Sequence, residues 1–296
     1  MAVVNTNVSA SIAQNALVKN ERSMNTAMER LSTGQRINAA ADDAAGLAIA
    51  SRMTSQITGL DVGIRNANDA ISMISVADGA LVEVSNMLQR MRELALQSAN
   101  GTTTSDDRNY LNAEYANLIG EIERIATNTQ WNGRSILDGA ANGTGDTTVK
   151  FQVGANGGQT IAVDFGNISQ DSGSGATVFE TFEQSGTLAA GSFISAGTTS
   201  SALTTASAAI TKIDAAITAV NTQRSTYGAA VNQLTYAVDN LASVKINAEA
   251  SRSRIQDTDY AVETSELART QIIQQAGTAM LAQANQLPQT VLSLLQ

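Results

Sequence analysis

The chain has 296 residues and a net charge of -9, from 18 Lys and Arg against 27 Asp and Glu, and it contains neither Cys nor His. Those absences exclude disulfides, thiolate zinc sites, thiol nucleophiles and imidazole acid–base catalysis, and the scattered, outnumbered basic residues exclude a nucleic-acid surface. An aromatic content of 4% and a single Pro suit long helices packed along thin seams, because an interior Pro costs about 3 kcal/mol.

The first 18 residues carry no charge, yet Val4, Val8, Ile12 and Ala16 recur at helical spacing. This spacing predicts a helix over residues 3–33, stopped by Gly34, with Asn38 in the break that follows. A second helix is expected from Asp42-Asp43, both carboxylates sitting at its positive end, to about Asn100-Gly101. Along it Leu60, Ile64, Ala67, Ile71, Ile74, Ala77, Leu81, Val84, Leu88, Met91 and Ala95 follow gaps of three and four, close to the 3.5-residue seam period. At 1.5 Å per residue such a helix is roughly 80 Å long.

Thr104-Ser105-Asp106-Asp107 supplies capping oxygens for a third helix over about 106–128, with Leu111, Tyr115, Leu118, Ile122 and Ile125 on one face. The period then changes. Trp131-Asn132-Gly133 reads as a turn, and residues 148–153 and 160–165 alternate with period two around Ala155-Asn156-Gly157-Gly158, which predicts a β-hairpin. Residues 166–204 are rich in Gly, Ser and Thr and read as an irregular, variable, surface-exposed segment, with short strands conceivable at Val178–Phe182 and Gly191–Ile194. Helix resumes near 205 with the heptad series Ile210, Ile213, Ile217, Val220, Tyr227, Val231, Leu234, Val238 and Leu241, interrupted by Arg224. A final helix is expected over about 258–294. Its end is charge-free from Thr270 onward, while Ile273, Met280, Leu287, Val291 and Leu294 keep helical spacing.

Isolated helices need a charged outer face in water, so charge-free apolar helices at both termini point to burial among other copies of the chain. Helices at both ends and an irregular middle imply a chain that goes out and returns, pairing its ends antiparallel. The fold class expected is mainly α: a rod-like coiled-coil bundle of long antiparallel helices, with one β-hairpin and a small irregular or β outer segment. No stretch reaches the roughly 18 apolar residues of a membrane span. The N-terminus also lacks the basic and apolar regions of a secretory signal peptide, so any export is expected by another route.

Two separated stretches carry a family signature. Residues 29–38, Glu-Arg-Leu-Ser-Thr-Gly-Gln-Arg-Ile-Asn, leading into Asp42-Asp43-Ala44-Ala45-Gly46-Leu47-Ala48-Ile49-Ala50, resemble the N-terminal region of bacterial flagellin. Ser253-Arg254-Ile255-Gln256-Asp257-Thr258-Asp259-Tyr260, Gln274-Gln275-Ala276-Gly277 and Val291-Leu292-Ser293-Leu294-Leu295 resemble its C-terminal region. Leu88 to Ala95 and Gln152 to Asn156 match as well. The resemblance covers roughly residues 1–165 and 205–296. It implies an inner-tube domain from residues 1–41 and 256–296, a rod-like domain from 42–165 and 205–255 that includes the hairpin at 148–165, and an outward-facing 166–204.

By that resemblance the protein is a non-enzymatic structural subunit of the extracellular flagellar filament, used for swimming and exported unfolded by the flagellar type III apparatus. The implied partners are other copies of itself, the export chaperone and export gate, the filament cap and hook–filament junction proteins, and Toll-like receptor 5 in hosts. No cofactor, metal, nucleic acid or membrane partner is implied. Gln89, Arg90, Leu94 and Glu114 match the receptor-recognition residues; ordinary helix-surface charge and seam packing explain them equally well chemically. Leu292, Leu294 and Leu295 match the chaperone-binding segment, and with Val4, Val8, Ile12, Ile273, Met280, Leu287 and Val291 they are the inner-tube polymerisation residues.

The pairs Asp42-Asp43, Asp106-Asp107 and Asp257/Asp259 read as caps and solvated charge, without the partner ligands a metal or catalytic site needs. The Ser/Thr-rich middle is a possible surface for O-glycosylation. The alternative within the same class is the hook–filament junction protein. A membrane-active amphipathic protein is a poorer match, since the apolar faces lack Trp and the polar faces lack clustered Lys and Arg.

Overall fold

The computed structural model describes residues 7–143, 146–169 and 199–293. Among them are five helices and four short strands: α1 (Val8–Thr33), α2 (Ala44–Ser98), α3 (Ser105–Asn128), β1 (Gln130–Trp131), β2 (Arg134–Ser135), β3 (Thr148–Gln152), β4 (Thr160–Asp164), α4 (Thr199–Gln256) and α5 (Tyr260–Ser293). The mainly helical class expected from the periodicity is what the chain adopts. The short strands considered at 178–182 and 191–194 lie outside the described residues.

The chain divides into two compact units, Met1–Ile57 with Ile246–Gln296, and Thr58–Lys245. The division falls inside α2 and α4 and not at the ends of the terminal helices. The start of α2 contributes buried Ala50 and Ile57 to the first unit, and Arg252 near the end of α4 reaches the Thr54 hydroxyl at 3.3 Å.

In the second unit, α2 turns Ala67, Ile74, Ala77, Leu81, Val84, Leu88, Met91 and Ala95 inward, the seam read from the sequence. Each such Leu or Met withdrawn from water contributes about 1.5–3 kcal/mol. One 18-residue window of α2 reaches a mean hydropathy of 1.3, enough by length and composition for a membrane span although charged residues interrupt its apolar run. Its fully buried residues belong to the core that α2 builds with α3, α4 and the hairpin. Helix α4 runs antiparallel to α2: the ion pairs Asp61–Lys245 (2.6 Å), Asp78–Arg224 (2.8 Å) and Arg92–Asp214 (2.6 Å) ascend one helix as they descend the other. Half-exposed pairs of this kind add little stability, but they mark the register. Arg224, an interruption in the heptads, is there to meet Asp78.

Helix α3 starts with a capping box. Asp107 N donates to Thr104 Oγ1 at 3.2 Å, and Thr104 N donates to Asp107 Oδ2 at 3.1 Å. The Thr104 hydroxyl, donating to Asp107 Oδ2 at 2.7 Å, and then the Thr104 N–H hold the Asp107 carboxyl below the ordinary carboxylate range. Tyr115 and Ile122 on α3 are fully buried, and burial pushes the Tyr115 phenol up.

The β3–β4 hairpin pairs Val149 with Val163 and Phe151 with Ile161. Its turn rests on α2, where a Cβ on Gly63 would lie 2.4 Å from the Val153 carbonyl oxygen, and Asn66 Nδ2 donates to the Gln152 carbonyl at 2.8 Å. Beyond β4 the chain does not leave the core at once. Asn167, Ile168 and Ser169 are buried, and Ile168 N donates to the Leu137 carbonyl at 2.9 Å. The start of the segment expected to face solvent is therefore interior. Tyr227 of α4 fixes it further, its hydroxyl donating to the Phe165 carbonyl at 2.7 Å with ring centroids 5.7 Å apart.

Candidate functional site and assembly surface

Helices α1 and α5 pair antiparallel through a ladder of polar contacts on an otherwise apolar background. Asn7 caps α1 by accepting from Ala10 N at 3.0 Å, and its amide donates to the Ala284 carbonyl at 2.9 Å. Asn20, buried, donates to the Thr270 carbonyl at 2.8 Å and to Gln274 Oε1 at 3.1 Å. Arg30 meets Glu263 at 3.3 Å. A buried Asn that must find one acceptor discriminates between registers at little gain in stability.

The ends of the pair are tied where both helices stop. Gly34 takes the left-handed conformation at φ 71°, which a side chain would strain, and its N–H closes α1 on the Arg30 carbonyl. Arg36 N then donates to the Gln256 carbonyl at 2.7 Å, and Thr258 N to the Gly34 carbonyl at 3.0 Å. The next break was expected to put both carboxylates at the start of α2. Asp43 does cap it, accepting from Gly46 N at 2.9 Å. Asp42 instead accepts from Ala39 N and Asn38 N, bonds that, Ala39 first, hold its carboxyl below its ordinary value.

Within this unit α1 turns only Asn20 and Ala27 fully inward. Several of its apolar side chains stay open to water: Val8, Ile12 (64% exposed), Val18 and Met28, matched on α5 by Ile272, Ile273 and Met280 (65%). Four of the residues singled out from the sequence for polymerisation, Val8, Ile12, Ile273 and Met280, are thus exposed. Leu287, Val291 and Leu292 lie on α5 by backbone position, while Val4, Leu294 and Leu295 lie outside the described residues. A cleft of about 390 Å³ between α1 and α5 is lined by Ser23, Thr26, Ala27, Arg30, Val262, Glu263 and Glu266. The buried Arg30 Nε beside it has no hydrogen-bond partner.

The four residues matched to receptor recognition divide. Gln89, Arg90 and Glu114 are exposed. Arg90 spans α2 and α3, its Nε donating to Glu114 Oε1 at 2.9 Å and its Nη1 to Glu93 Oε2 at 3.0 Å; these bonds, Glu114 first, hold its guanidinium proton more firmly. Leu94 is 1% exposed and is part of the core, so a partner on this surface touches the charged group above it and not its side chain. Sequence reasoning missed Arg108, buried at the start of α3, which donates to the Ser98 and Asn100 carbonyls at 3.2 and 3.3 Å and closes the α2–α3 connection. A signal was present: a cation in the first turn of a helix opposes the helix dipole.

Known proteins are similar to this chain in sequence over nearly its whole length. Residues 4–142 match the model of the bacterial flagellin N-terminal helical region, and residues 210–295 match that of the C-terminal helical region. A flagellin of Halalkalibacterium halodurans is 42% identical over 294 residues, covering 99% of this chain and 100% of that one. Flagellin A of Vibrio cholerae is 37% identical over 380 residues, covering 99% of each. The crystal structure of Bacillus cereus flagellin is similar over 60% of this chain and 88% of that one, at 33% identity and a TM-score of 0.47.

Proposed function

The chain belongs to the bacterial flagellin family, a family of structural proteins, and is a self-polymerising subunit of a flagellar filament outside the cell; we propose that it polymerises by burying the charge-free faces of α1 and α5 between neighbouring copies. The observation that carries this is the exposure of Val8, Ile12, Ile273 and Met280 on helices whose chain-terminal ends contain no charged residue. Such a pair buries too little apolar surface to offset the cost of ordering it. Packing against other subunits supplies the rest, so growth proceeds onto a pre-formed end.

The finer roles follow on the same premise. The monomer is exported unfolded through the flagellar type III apparatus, with Leu292, Leu294 and Leu295 engaging the export chaperone, and it is added beneath the filament cap. In hosts the monomer is read by Toll-like receptor 5 at Gln89, Arg90 and Glu114, with Leu94 supporting them from below.

Assembly is tested by mixing the full chain with sheared filament seeds under mild salting-out and imaging by negative-stain electron microscopy. Long tubular filaments are expected. A chain that stays monomeric on matched seeds refutes the proposal and favours the hook–filament junction protein. The receptor reading is tested in reporter cells, where monomer should signal and polymer should not; a silent monomer refutes it.

A further inference from the structure

The eight methionines of the chain are not equally protected. Met73 and Met91 in the second unit are 5% and 0% exposed, whereas Met280 on α5 and Met28 on α1 are 65% and 52% exposed. Met280 lies seven residues beyond Ile273, on the same stripe of the helix, and within the 27 closing residues that carry no charge.

We propose that Met280 is a site of reversible oxidation that blocks assembly while oxidised, an inference that rests on the reading that this face of α5 is buried on polymerisation. The co-reactant is a two-electron oxidant of the hydroperoxide class. The thioether sulfur attacks one oxygen of hydrogen peroxide, an S–O bond forms as the O–O bond breaks, and the second oxygen leaves as water; sulfur loses two electrons and peroxide gains them. A flexible apolar side chain becomes a polar acceptor. The sulfoxide oxygen is a strong acceptor that the thioether lacked, so burying it against another subunit costs its desolvation. A dithiol reductant reverses the step: its two thiols supply two electrons and two protons and close to a disulfide, the oxygen leaves as water and the thioether is restored.

The test is a partition experiment on the full chain. Monomer is partly oxidised with dilute hydrogen peroxide, elongated on seeds and sedimented, and sulfoxide at each Met is measured by peptide mass mapping in pellet and supernatant. Met280 sulfoxide should be about tenfold or more depleted from the pellet, with Met73 and Met91 unmodified. Treated Met280→Leu protein should elongate as the untreated parent does. Equal Met280 sulfoxide in pellet and supernatant, or an unmodified Met280 beside oxidised Met73 or Met91, overturns the proposal without needing the variant. Untreated protein that fails to elongate refutes the assembly reading itself, and this inference with it.

Discussion

Replacing Ile12 by Ala tests directly whether the open face of α1 is an assembly face. Ile12 is 64% exposed in the isolated chain, so about two thirds of its transfer from water has still to happen. The substitution deletes three carbons, worth about 2.4 kcal/mol on full burial at about 0.8 kcal/mol each. The exposed share gives about 1.5 kcal/mol, which at 1.4 kcal/mol per decade raises the critical concentration for elongation about tenfold. The assay is the plateau of unpolymerised protein after seeded elongation, read by sedimentation. Thermal unfolding of the second unit should not move, since Ile12 belongs to the first. A critical concentration within about twofold of the parent, in a parent that does polymerise, refutes the claim that this side chain is buried by assembly.

Two glycines of α2 should respond with opposite sign. Gly63→Ala forces the hairpin turn off the helix, its Cβ meeting the Val153 carbonyl at 2.4 Å; it should cost at least about 1 kcal/mol and speed amide exchange in residues 153–156. Gly79→Ala meets nothing within 4 Å and should stabilise by about 0.5–1 kcal/mol; changes of equal sign in denaturant unfolding would defeat the close-approach argument. Leu94→Ala should destabilise the second unit by about 2–5 kcal/mol as a core cavity, whereas Arg90→Ala, exposed, should leave the unfolding midpoint nearly unchanged. Thr104→Ala removes the α3 cap and should lower the thermal midpoint by about 2–4 °C at neutral pH. It also removes the first cause of the lowered Asp107 pKa. A lowered carboxylate pKa contributes stability that is present above about pH 4 and lost as pH falls through the folded value, so the acid-side loss should be smaller in Thr104→Ala; an unchanged pH profile would show that the hydroxyl does not hold that charge.

Periodicity and charge in the sequence alone determined the helical seams of α2 and α4, the hairpin around Gly157, the capping oxygens of Thr104 to Asp107 and the charge-free terminal faces. These are local or repeating properties, set by the 3.6- and 2-residue periods and by which side chains water tolerates, and they carry the assembly reading, while the family rests on the motifs at residues 29–50 and 253–295. What depends on contact between residues distant in the chain was decided by the tertiary structure. Arg224 is an interruption in its heptads until Asp78, 146 residues earlier, is seen opposite it. Asn20 is one polar residue among many until Thr270 and Gln274 bury it. Asn167 to Ser169 read as irregular surface because their composition is polar, yet backbone bonds to the stretch around Leu137 hold them inside. Leu94 and Arg90 lie in one matched motif, and only the packing of α3 on α2 puts one in the core and the other in water. A sequence period specifies which face of a helix is apolar; which neighbour covers that face, and which polar group it meets there, is a property of the folded chain and its copies.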